Sequence, residues 1–162
     1  FENEIEDIIT APAPTYVNQQ SIEALKTRGT ESRIVSKINS NLDLQLSHAR
    51  TLGKQADGDS ITLVPKDKLL LSINTSIYKN FKLNTAYLFL NKSKDLKYNE
   101  LPVYKSLNMN MSYKKNNNSK FYIKLENILD RVNVVNTAGT SSSNLGFKSP
   151  GRSVYFGIKF KN

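Results

Sequence analysis

The sequence has no cysteine and a single histidine, His48, in 162 residues. The first absence removes disulfides and thiolate metal sites, and is compatible with either a reducing cytosol or a bacterial envelope. The second removes any histidine-cluster metal centre and leaves a Ser-His-Asp arrangement dependent on His48 being placed among loops. No apolar run approaches the ~18 residues of a membrane-spanning helix, which excludes a helical membrane protein. Hydrophobic residues make up only 38% of the chain, little for a tightly packed globule of this length. An initiator Met is missing too. The chain opens on FENEIEDII without a signal peptide, the pattern of a mature protein or an excised segment.

Charge is plentiful: the formal net charge is +9. A nucleic-acid surface would gather those Lys and Arg residues into one stripe. Here they are spread through nearly every segment, alternating with apolar residues or sitting in turns such as SYKKNNNSK. They read as solvated faces, with no nucleic-acid partner, and would attract a polyanion such as lipopolysaccharide. The loop sequences TSSSN and ADGD lack the spacing of phosphate or calcium sites, and the acids Glu4, Glu6 and Asp7 read as a solvent- or lumen-facing strand end. No catalytic, metal or cofactor site is expected.

The dominant pattern is period-two alternation, the signature of strands. Leu69, Leu71, Ile73, Thr75 and Ile77 share one face, against Lys68, Leu70, Ser72, Asn74 and Ser76. Phe81, Leu83, Thr85, Tyr87 and Phe89 repeat it against Lys82, Asn84 and Ala86. Val103, Leu107, Met109, Met111 and Tyr113 follow, against Tyr104, Ser106, Asn108, Asn110 and Ser112. Phe121, Ile123 and Leu125 come next, and the chain closes with Val154, Phe156, Ile158 and Phe160 against Tyr155, Gly157, Lys159 and Lys161. Upstream, Leu42, Leu44 and Leu46, then Ile34 and Ile38, and FENEIEDII extend the series to about eight strands with almost no helix. Short turns at 39–41, 79–81 and 114–119 alternate with longer polar loops around 10–20, 50–66, 94–102 and 131–151. Strands of roughly ten residues, apolar on one face and polar on the other, with short and long connections alternating, predict an all-β antiparallel up-and-down transmembrane β-barrel. Its backbone groups must all be paired within lipid, and its polar face lines a watery lumen. Tyr87, Phe89, Tyr113, Phe121 and Phe160 fall near strand ends, as in interfacial aromatic girdles.

Several stretches resemble one family. FYIKLENILDRVN, followed by a polar loop and PGRSVYFGIKFKN, is similar to the C-terminus of TonB-dependent outer-membrane receptors, where a strand ending in Glu-Asn-Leu-Phe-Asp precedes a Pro-Gly-Arg motif and the last strand. FENEIEDII and TRGTESRIVSKI also match, and VPKDKLLLSINTSI resembles the family's Pro-x-His strand opening with Asp67 where His is common. The resemblance covers essentially residues 1–162 and is nearest to vitamin B12 (cobalamin) and siderophore receptors. It implies about eight C-terminal strands of a barrel of about twenty-two, with the plug domain absent. It also implies active uptake of a scarce nutrient in the bacterial outer membrane, with TonB acting through the plug. A complete small eight-stranded barrel with a structural or adhesion role is the alternative. The last strand resembles the signal read by the barrel assembly machinery, with Tyr155, Gly157 and Phe160 in place and Asn162 where a terminal aromatic is expected. Under this reading, loops 50–66 and 131–151 reach a small-molecule nutrient, and Arg50, Lys54, Arg131, Asn136 and Lys148 are the side chains able to meet an anionic chelate. Outer-membrane lipid and lipopolysaccharide would surround the wall.

Overall fold

The computed structural model describes residues 1–5, 9–10, 19–20, 25–54, 61–95, 99–136 and 147–160, with 9–10, 19–20 and 135–136 described as backbone alone. These residues form strands β1 (Glu2–Ile5), β2 (Ile9–Thr10), β3 (Gln19–Gln20), β4 (Leu25–Asn39), β5 (Leu42–Lys54), β6 (Asp67–Tyr78) and β7 (Phe81–Leu90). They continue with β8 (Ser93–Lys94), β9 (Glu100–Leu101), β10 (Tyr104–Lys114), β11 (Ser119–Glu126), β12 (Val134–Asn136), β13 (Phe147–Lys148) and β14 (Ser153–Phe160). Eight of them make one sheet in the order β1-β4-β5-β6-β7-β10-β11-β14. Every pairing within it is antiparallel.

The register turns the alternation of single strands into continuous rows. One row runs Leu44, Ile73, Thr85, Met109, Leu125 and Val154 across six strands. A second runs Leu42, Thr75, Leu83, Met111, Ile123 and Phe156. The opposite face carries Asp43, Asn74, Asn84, Asn110, Lys124 and Tyr155 in register. The Asn84 amide donates to Asn74 Oδ1 at 2.6 Å. A one-residue slip would exchange the two faces, so the apolar pattern fixes the pairing.

Nothing covers the apolar face among the described residues. Leu101 is the one large apolar side chain fully buried, whereas Phe156 is 76% and Phe160 69% exposed. A second sheet packed against the first would have buried these rows; this is one sheet with an uncovered apolar side. It is also open. β1 and β14 stand at its two ends and do not pair with each other, and β1 covers only the Leu25–Arg28 end of β4. A complete small barrel would require those ends to bond.

The alternation of connections is as the sequence predicts. β4–β5, β6–β7 and β10–β11 join through short turns at one end, and the long connections all lie at the other. Two features differ. The long connections carry small hairpins of their own, β2–β3, β8–β9 and β12–β13, because polar residues beyond an apolar band can still satisfy backbone groups by pairing. β5 continues to Lys54 instead of giving way to a loop at Arg50, because β4 pairs with it residue for residue from Lys37↔Asp43 up to Lys26↔Lys54.

Gly157 shows how the polar face is packed. It lies opposite Tyr122, and a β-carbon added there would collide with the Tyr122 ring. Gly157→Ala should therefore displace that ring, and because Tyr122 is 40% exposed and its end can swing aside, the cost should be about 1 kcal/mol, the low end for overpacking. Denaturant unfolding should show the loss largely relieved when Tyr122→Ser is added; an equal loss in both backgrounds would sink this account of the glycine.

Candidate functional site

The long-loop end of the sheet is where polar side chains converge. Asp67, first residue of β6, accepts from the Asn91 amide at 3.1 Å and lies 3.3 Å from His48 Nε2 and 3.9 Å from Arg50 Nη1. It thus ties β5 to the end of β7. Strand alternation puts His48, Arg50 and Asp67 on the same face as Leu44 and Leu46, just beyond the apolar rows. His48 is therefore a satisfied histidine at the edge of the apolar face.

Above this cluster the upper ends of β4 and β5, segment 61–66 and residues 91–94 enclose a concavity of about 800 Å³. Ile61 packs over Gly53, where no side chain intervenes, and Leu63, with φ of 61°, donates its N–H to the Lys94 carbonyl at 2.6 Å. The lining includes Lys26, Arg28, Lys54, Lys66, Lys92 and Lys94, against Glu2 and Glu100. Lys92 donates to Glu100 at 2.9 Å across the β8–β9 hairpin, and Lys26 pairs with Glu4 at 2.8 Å. The Lys92 hydrogen bond, then its charge, holds the Glu100 carboxyl below the usual 4.5. A depressed carboxyl adds stability above its unfolded value and loses it as pH falls through the folded one; both side chains are exposed, so solvent screens the pair. Six cationic side chains around two carboxylates make a surface that attracts anions.

A second group of polar contacts closes the base of the β11–β14 connection. Asn127, with φ of 48°, donates its amide to the carbonyls of Arg131 at 2.9 Å and Pro150 at 3.0 Å, and its Oδ1 accepts from the Arg131 N–H at 3.2 Å. Its own N–H donates to Asn108 Oδ1 at 2.9 Å. Asn133 pairs with Lys105 as a strand residue would, donating to its carbonyl and accepting its N–H. Asp130 Oδ1 accepts the Arg152 N–H at 3.0 Å. Asn127, Asn133, Ser106 and, at the β8–β9 turn, Asp95 are buried polar groups, each bonded as burial demands.

Two of the five sequence-proposed ligand contacts change place. Arg50 and Lys54 belong to strand β5, not to a loop; Lys54 lines the concavity, whereas Arg50 joins the Asp67 cluster below it. Arg131 is anchored through its backbone by Asn127. Lys148 is exposed in β13 opposite Val134, and Asn136 pairs with Phe147 through its backbone. These three belong to the 127–152 connection, and none lines the concavity. Sequence reasoning missed Lys26, Arg28, Lys66, Lys92 and Lys94, which only the fold gathers, and the buried Asn127, whose place in LENILDRVN was its one visible signal. Residues 137–146, with the TSSSN stretch, and 55–60, with the ADGD stretch, lie outside the described residues, as do Glu6, Asp7 and Asn162. Among the described residues no group of three or more His, Cys, Asp or Glu side chains could hold a metal, and no helix is long and apolar enough to cross a membrane.

No family model and no curated protein matches the sequence, but solved structures do match the fold. The copper transporter OprC superposes with a TM-score of 0.81 at 16% identity, over 98% of this chain and 27% of its own. A ferric enterobactin receptor, PfeA, from Pseudomonas aeruginosa gives 0.80 at 14%, over 98% and 28%. This is the fold of TonB-dependent outer-membrane receptors. The ferric-catecholate import receptor Fiu from E. coli K12 extends the likeness, with 0.75 at 12% identity over 98% of this chain and 24% of its own. The chain spans about a quarter of the length of these TonB-dependent receptors, and its open eight-stranded sheet corresponds to a segment of their barrel wall.

Proposed function

We propose that this sheet is the C-terminal wall of a TonB-dependent receptor in the bacterial outer membrane. Residues 1–162 would serve as one piece of its barrel domain, in active uptake of a scarce nutrient. The observation that carries the reading is the pair of apolar rows running uncovered across six strands, backed by a polar face. From Leu69 to Ile77 the apolar face runs about 26 Å along the strand at ~3.3 Å per residue, or about 20 Å of depth at the usual tilt. Phe81, Tyr113 and Phe121 stand in register at the short-turn end, and Phe89, with Lys105 Nζ 5.9 Å from its ring centre, stands at the other. Together these suit a lipid band of ~25 Å with aromatic borders.

The charge of the rim supports one nutrient class. Six cations around the concavity favour an anionic cargo, such as an iron–siderophore chelate, over neutral cobalamin or a bare metal cation; Lys26, Arg28 and Lys54 among them share the face of β4 and β5 that carries Arg50 and His48. Lys54 would meet it there, with Arg131, Asn136 and Lys148 contributing from the second long connection. Tyr155, Gly157 and Phe160 would address the strand to the assembly machinery, and lipopolysaccharide would border Arg50 and His48. TonB would act through a plug elsewhere in the polypeptide. The chain's role is transport and not catalysis.

Topology tests this reading. The long connections should lie outside the cell and the short turns in the periplasm. A cysteine replacing exposed Val132 should react with an impermeant thiol reagent on intact cells, and one replacing Asn117 should react only after lysis. The reverse pattern would turn the wall upside down and overturn the proposal.

A further inference from the structure

The long connections are bonded to one another as well as to the sheet that bears them. In the β5–β6 connection the Leu63 N–H donates to the Lys94 carbonyl of the β8–β9 hairpin at 2.6 Å, and the Lys66 carbonyl accepts the Thr51 N–H at 2.9 Å. Within the hairpin the Asp95 carboxylate, 1% exposed, accepts the Asn99 N–H at 2.8 Å and the Asn99 side-chain amide at 3.0 Å. The Asp95 N–H donates to the Asn99 carbonyl at 2.9 Å. β9, which carries the buried Leu101, lies against β12 of the β11–β14 connection. Asn133, the residue before β12, bonds both backbone groups of Lys105 and accepts the Ser149 N–H on its own carbonyl at 2.8 Å. The ties thus run from β5 to β14.

We infer that these three connections form one cooperative ledge, whose described segments open together or not at all. Opening is costly where burial is greatest, and in this chain burial is greatest here. Leu101, the one large apolar side chain fully buried among the described residues, belongs to the middle connection. Asp95, Asn127 and Asn133, three of the four buried polar residues, belong to the middle and last ones. Separate loops, each held only at its own base, would leave such groups in water. Freeing one connection also strips a partner from the next: the Lys94 carbonyl loses its donor if 61–66 leaves, and β9 loses its neighbour if 131–134 leaves. That shared cost makes the opening cooperative. The consequence for uptake rests on the reading of this sheet as a receptor wall. Cargo entering the concavity between 61–66 and 91–94 meets a surface already in shape, and loses none of its binding energy to ordering it.

The test is amide hydrogen exchange on the natural polypeptide that carries this wall, purified in detergent from its membrane and read by mass spectrometry with fragmentation to single amides. Leu63, Asp95 and Ser149 each place one bonded N–H in a different connection. Their opening equilibria should agree within about tenfold and share one dependence on urea, as members of one unfolding unit do; a wider spread would overturn the proposal. Leu101→Ala should speed exchange at Leu63 and at Ser149, both outside its own hairpin, by at least fivefold, and Leu101→Met should keep the original rates. Acceleration confined to Asp95 would show three independent loops. If Leu101→Ala does not fold, the spread of rates in the unmodified protein still decides. Heat-modifiable migration on cold gels separates the two claims: a heat-modifiable protein whose three amides open independently sinks the ledge alone. A protein that is not heat-modifiable sinks the wall reading, and the exchange rates then judge the ledge by themselves.

Discussion

Ile73→Arg and Met109→Arg should each cost roughly 2 to 4 kcal/mol of stability in lipid, the usual penalty for a cation near mid-membrane on the outward face of a barrel. Both positions belong to one row, with Thr85 between them, so the two substitutions probe the same depth. The inward control must be chosen from the structure. Asn108 reads in the sequence as a water-facing equivalent, but its Oδ1 accepts the Asn127 N–H and the Ser106 hydroxyl. Arg there would break the base of the β11–β14 connection. Asn110 is exposed on the polar face, and Asn110→Arg should cost well under 1 kcal/mol, as ordinary surface changes do. Urea unfolding of the natural protein in lipid vesicles measures all three. Equal losses at Met109 and Asn110 would mean that neither face meets lipid.

Asn127→Ala should be as damaging, at roughly 2 to 4 kcal/mol, through a different cause. It leaves the Arg131 N–H without its side-chain acceptor and the Arg131 and Pro150 carbonyls without their side-chain donor; Arg131 and Pro150 are exposed, so water meets part of the loss and the three together cost about 1 to 3 kcal/mol. It also places a β-carbon at φ of 48°, which costs alanine about 1 kcal/mol more than it costs asparagine or glycine. Asn127→Gly should recover that last part alone, and Asn127→Asp should keep the acceptor while losing both donated bonds. Protease cleavage between Asp130 and Pro150 should accelerate in all three. An Asn127→Ala protein as stable and as resistant as the original would show that the buried amide closes nothing.

The eight strands of the main sheet were legible because alternation such as Leu69 to Ile77 is a local signal, and two-residue turns such as Lys79–Asn80 leave little freedom in pairing. The far end of β5 was not legible. ARTLGK alternates weakly, and what keeps it extended is β4, whose pairing with it is a property of two segments at once. The concavity was hidden for the same reason: its cations come from 26–28, 54, 66 and 92–94, and no spacing rule links them. Arg50 and Lys54 were visible as cations, but the face each one occupies depends on the uninterrupted register below it. Asn127 and Asn133 read as loop polarity, since burial of an amide is invisible until its partners, Pro150 and Lys105, arrive from 23 and 28 residues away.

The clamp at the base of the β11–β14 connection has a kinetic meaning as well. β4–β5, β6–β7 and β10–β11 each close through a short turn and can form as separate hairpins within microseconds. β14 has no such neighbour and must find β11 across the whole of 127–152. Asn127 bonded to Pro150, and Asp130 to Arg152, hold the two ends of that excursion together in the folded sheet, and forming them early would shorten the search of β14 for β11. Lengthening the excursion beyond the clamp adds only about 0.6 kcal/mol of closure entropy per doubling, so under the proposed reading its sequence can be rewritten while the final strand still arrives at the same place.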